Sequence, residues 1–153
     1  MASLIFTAFM MEAYLNHIGQ RIFVCWDDLE QLSPRKKLNV IAEKLGVEKD
    51  EGKRPYRTLS ELFKFRNSVA HGKPVPPISD SQIRLVDDTL DKYMHEFLRT
   101  PWEKYCTSEN AKRALEDMEA IIKELHKAAG ITDKFPFSFG MQSSSATLLP
   151  EEE

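Results

Sequence analysis

Residues 57–72 read Arg57-Thr58-Leu59-Ser60-Glu61-Leu62-Phe63-Lys64-Phe65-Arg66-Asn67-Ser68-Val69-Ala70-His71-Gly72. At about 100° per residue, Leu59, Leu62, Phe63, Phe65, Val69 and Ala70 fall on one half of a helix, and Ser60, Lys64, Asn67 and His71 form a narrow stripe opposite. The spacing predicts a helix near Arg57 to His71, which Gly72 and then Pro74 terminate. An apolar half of this kind is stable only when other elements cover it.

The flanking sequence supplies those elements in the same period. A first helix is predicted from about Ala2 to Val24, with Leu4, Ala8, Met11, Leu15, Ile18 and Ile22 spaced by four and three. Its apolar residues surround much of the cylinder, which implies a buried helix or one that takes part in an oligomer contact. A second helix begins at Ser33-Pro34, a cap followed by proline at the first helical position, and ends at Leu45-Gly46. After the proline-rich loop from Lys73 to Ile78, Ser79 with Gln82 forms a capping box for a helix carrying Ile83, Val86, Leu90, Tyr93 and Phe97. Thr100-Pro101 starts a short helical piece around Trp102 and Tyr105, and Ser108 opens a last helix that Gly130 closes. No run alternates as strands do. The expected fold is therefore all-α, an antiparallel bundle of four to five helices over residues 1–130. Residues 131–153 form a C-terminal extension, in which Phe135, Phe137 and Phe139 pack on the body and the chain frays from Met141.

Composition bounds the class. A chain of 153 residues with 42% hydrophobic and 29% charged residues has the size and balance of one soluble domain. Cys25 and Cys106 show neither metal-ligand spacing nor a disulfide framework, so the cytoplasm is the expected compartment. The apolar start lacks a basic leader region and is too short to span a bilayer, so no membrane association is expected. The net charge of −3 excludes coating of nucleic acid by bulk charge. Residues 53–73 nevertheless carry six basic side chains against Glu61 alone. That run is either a local cationic site or a solvated helix face.

Arg66 stands among the apolar positions of its helix, where an unpaired guanidinium costs several kcal/mol. Glu12 interrupts a second apolar stripe of the first helix, Ile5, Phe9 and Gly19, in the same way. A Glu12–Arg66 contact is therefore expected, either as a structural pair or as a clamp that aims the arginine at a phosphate. Arginine neutralises phosphate and histidine moves protons near neutral pH, the two requirements of metal-independent phosphodiester chemistry. Arg66 and His71 lie about 140° apart on one helix, so a shared cleft needs a two-fold dimer that brings two such helices together. His71 also has a purely structural explanation, since a helix C-terminus stabilises an imidazolium.

Arg66, Asn67 and, after four intervening residues in all, His71 resemble the motif of the HEPN superfamily. The context of Glu12-Ala13-Tyr14-Leu15-Asn16, the lysine-rich second helix and the phrase Leu62 to Gly72 are similar too, loosely over residues 1–130. The resemblance implies a helical homodimer with the motif lining an interface cleft, and in many members a metal-independent endoribonuclease of toxin–antitoxin or defence systems. In that reading Arg66 binds the scissile phosphate, His71 transfers protons, Asn67 orients phosphate or imidazole, Glu12 supports Arg66, and Lys64 and Lys73 hold the flanking RNA backbone. RNA is the substrate, an antitoxin protein a further partner, and no cofactor or metal is implied. Other members are non-catalytic modules that bind nucleotide or protein, and a generic helical adaptor is the third reading.

Overall fold

The computed structural model describes residues 1–72 and 100–131. The expected helix from Ser79 to Phe97, Lys73 and the extension from 132 onward lie outside the described residues. Those described form six helices and no strand: α1 (Ala2–Ile22), α2 (Trp26–Leu29), α3 (Pro34–Leu45), α4 (Tyr56–His71), α5 (Pro101–Tyr105) and α6 (Ser108–Ala128).

The core lies where α1, α3, α4 and α6 meet. Leu4, Ala8, Met11, Leu15 and Ile18 of α1 face Leu38 and Ile41 of α3, Leu59, Leu62 and Phe65 of α4, and Met118, Ile121, Ile122 and Leu125 of α6. Each set recurs at three and four residues, and its burial is the main term holding the helices together. Two tyrosines tie the layers at their polar ends. Tyr14 donates to the Ile122 carbonyl at 3.2 Å, and Tyr56 to Glu124 Oε2 at 2.6 Å. Burial pushes the Tyr14 hydroxyl up to about 12, so it stays a donor at neutral pH.

Several boundaries differ from the expectation. The first helix stops at Ile22, because Phe23 adopts an extended conformation and the chain folds back to place Trp26 in α2. The Trp26 ring is buried, stacks on Phe23 with centroids 5.9 Å apart, and lies across Gly19. A Cβ at Gly19 would sit 2.3 Å from the indole, so glycine is required by that approach. Val24, placed in the helix by sequence, is fully exposed beyond it. Ser33 precedes Pro34 as expected, but its side chain makes no capping bond. Thr107, not Ser108, caps α6, accepting from the Asn110 N–H at 3.0 Å. Thr100 and Glu103 form the full reciprocal box at the start of α5. Ala70, read as an apolar-face residue, is exposed.

The first helix is not buried all round. Phe6 is 68% and Phe9 49% exposed, and with Ala2 and Ala13 they form an apolar stripe on its outer side.

Candidate functional site

The last two turns of α4 carry the motif, and α1 and α3 supply its setting. Arg66 donates through Nη2 to Glu12 Oε2 of α1, the contact expected from the two interrupted apolar stripes. Its Nη1 donates to Asn67 Oδ1 at 3.0 Å. The guanidinium is half-buried between these neighbours, and its Nε–H is buried without a hydrogen-bond partner.

The second face of the Glu12 carboxylate meets a residue that the sequence reading left out. Lys37 of α3 is only 3% exposed, donates to Asn16 Oδ1 at 2.8 Å and reaches Glu12 Oε1 at 3.9 Å. Asn16, Lys37, Glu12, Arg66 and Asn67 thus form one polar chain through α1, α3 and α4. The signal for it was present: Lys37 precedes Ile41 by four residues, so it lies on the apolar stripe of α3, and Asn16 follows Glu12 by four on α1. One carboxylate faces two cations. The cluster keeps a positive charge of one, and it keeps it where Arg66 reaches the surface.

His71 is at the exposed end of α4, one turn beyond Asn67, and makes no hydrogen bond or ion pair with another described residue. Gly72 follows in the left-handed region with φ 46°, and its N–H bonds the Ser68 carbonyl, which ends the helix at the histidine. The structure brings Glu12, Arg66 and Asn67 together and leaves His71 apart from them within a single chain. Lys64 is exposed on the polar stripe with Ser60 and Asn67.

Besides Arg66, three basic residues of the run 53–73 pair with carboxylates. Arg54 makes a two-pronged contact with Asp117 of α6 at 2.8 Å, Arg57 bonds Glu61 at 3.1 Å, and Lys53 pairs with Asp50 at 3.3 Å. Burial pushes the Asp117 carboxyl up, but hydrogen bonds from Arg54 and Thr58 and the charges of Arg54 and Arg113 outweigh it and hold the group below its ordinary range. Among the described residues of this segment, Lys64 makes no ion pair, and Arg66 shares its one carboxylate, Glu12, with Lys37.

Among the described residues no three His, Cys, Asp or Glu side chains are grouped as metal ligands, and no helix is long and apolar enough to cross a membrane. Comparison with family models, curated proteins and solved structures gives no match.

Proposed function

We propose that the chain is a HEPN-like helical bundle that cleaves RNA without a metal, in a cleft completed by a second copy. The carrying observation is the excess positive charge of the Glu12–Lys37–Arg66 cluster among the described residues, partly exposed at Arg66 on the helix that ends in His71. RNA brings its own nucleophile, the 2′-hydroxyl, so the protein need only move protons and stabilise charge on phosphorus. Arg66, aimed by Glu12 and Asn67, takes the phosphate; His71 transfers protons; Lys64 and Lys73 hold neighbouring phosphates.

Two copies are needed because one helix directs Arg66 and His71 to different sides. The outer stripe of α1, with Phe6 and Phe9, is centred about 90° around that helix from Glu12, with Phe9 the nearer at about 60°, so a second copy covering it borders the Arg66 site. The partner then brings its own His71 to the phosphate held by Arg66. An antitoxin protein is a further partner of this reading.

The test is cleavage of total RNA in chelator by the purified protein, beside Arg66→Ala and His71→Ala proteins shown to be folded and dimeric. Loss of cleavage in both supports the reading. Equal traces in all three would leave a binding module, a role favoured by the extent to which Glu12 and Asn67 already occupy the Arg66 donors.

A further inference from the structure

A groove of about 230 Å³ runs between the start of α3, the loop at Lys49 and the polar stripe of α4; Lys64 and Asn67 at its edge have roles above, while its floor has none. Its floor is apolar, made by Leu38, Leu59 and Phe63, with Tyr56 at the side. Its rim is cationic. Arg35 is cancelled by its bond to Glu51, but Lys49 donates only to the neutral Asn39 amide and Lys64 pairs with no described carboxylate. Among the described residues, two ammonium groups therefore stand over an apolar floor with no carboxylate paired to them. The first turn of α3 adds no acid, and the Ser33 hydroxyl, free of a capping bond, lines the same space.

Asn67 joins this groove to the motif. Its Oδ1 accepts from Arg66 while the residue lines the groove, so its amide N–H groups remain to donate. Ser60, Lys64, Asn67 and His71 extend along about 16 Å of the α4 axis, a distance of two to three nucleotides in an extended strand.

We propose that this groove is a nucleotide subsite for single-stranded RNA, taking the base next to the phosphate that reaches Arg66, with Lys49 and Lys64 on the flanking phosphate oxygens. The assignment rests on the ribonuclease reading for its substrate. An apolar slot under paired cations suits a base and its phosphate, since the base gains by stacking and burial and the phosphate by charge.

The experiment is fluorescence anisotropy in chelator with a labelled 2′-O-methyl uridine hexamer, which has no free 2′-hydroxyl to attack. Lys49→Ala removes one rim charge, and Ser60→Trp fills the groove from a half-buried position; circular dichroism checks that both are folded. Lys112→Ala, exposed on α6, is the control for bulk charge. The subsite predicts a Kd raised about tenfold in Lys49→Ala and in Ser60→Trp, and less than twofold in Lys112→Ala. It is overturned if the wild type does not bind, if both groove variants bind within twofold of wild type, or if Lys112→Ala loses as much as Lys49→Ala. Cleavage of total RNA is scored separately. Groove-dependent binding without cleavage removes the ribonuclease reading and keeps the subsite, whereas cleavage with groove-independent binding does the reverse.

Discussion

Glu12 is the residue on which the site balances, because among the described carboxylates it alone pairs with both Lys37 and Arg66. Glu12→Gln leaves two neighbouring cations with no carboxylate, one of them almost fully buried, and is expected to destabilise the fold by about 2 kcal/mol in urea unfolding. Arg66→Met leaves a neutral Glu12–Lys37 pair and should cost about half as much or less. A larger loss in Arg66→Met than in Glu12→Gln would contradict the charge count. The Glu12–Arg66 contact was legible from sequence, since each residue interrupts an apolar stripe and a charge in that position needs an opposite one. Lys37 obeys the same rule. Arg35 and Lys36 beside it carry the same charge, and the packing of α3 on α1 turns only Lys37 of the three inward.

At the scale of elements, the helical periods located α1, α3, α4 and α6 to within a residue or two, while the turn after α1 and most of the pairing of the basic run escaped. The turn depends on Trp26 lying over Gly19, a contact that no local pattern announces. Gly19→Ala is expected to displace the indole and cost about 2 kcal/mol, with a shift in tryptophan fluorescence; an unchanged melting temperature would show that the ring yields freely. Arg57 pairs with Glu61 at i,i+4 and was readable, but Arg54 finds Asp117 63 positions along the chain. The Asp117 carboxyl is held below its ordinary value of 3.8, so its ionised form stabilises the fold fully above that pH, and the contribution is lost as pH falls through the lowered folded value. Asp117→Asn should therefore melt at a lower temperature than wild type at pH 7, and the gap should narrow as pH falls below about 4. A gap independent of pH would assign the loss to packing instead.

At the scale of the whole molecule, the described residues leave the outer apolar stripe of α1 uncovered, and in the proposed function a second copy would cover it and complete the Arg66 site. Phe6→Lys with Phe9→Lys should remain helical, sediment as a monomer and lose cleavage; a cleaving monomer would exclude the composite cleft. Nothing in one sequence announces which face is left open, because Phe6 and Phe9 continue the apolar pattern of a buried helix, and only the placement of α3, α4 and α6 shows that nothing described covers them. The most direct test is subunit complementation. Arg66→Ala and His71→Ala proteins, each inactive alone, are mixed in equal amounts, allowed to exchange subunits, and assayed on RNA in chelator. A cleft that joins Arg66 of one copy to His71 of the other leaves one intact site in each mixed dimer, so activity should return to about a quarter of wild type. No recovery after demonstrated exchange would contradict the shared cleft.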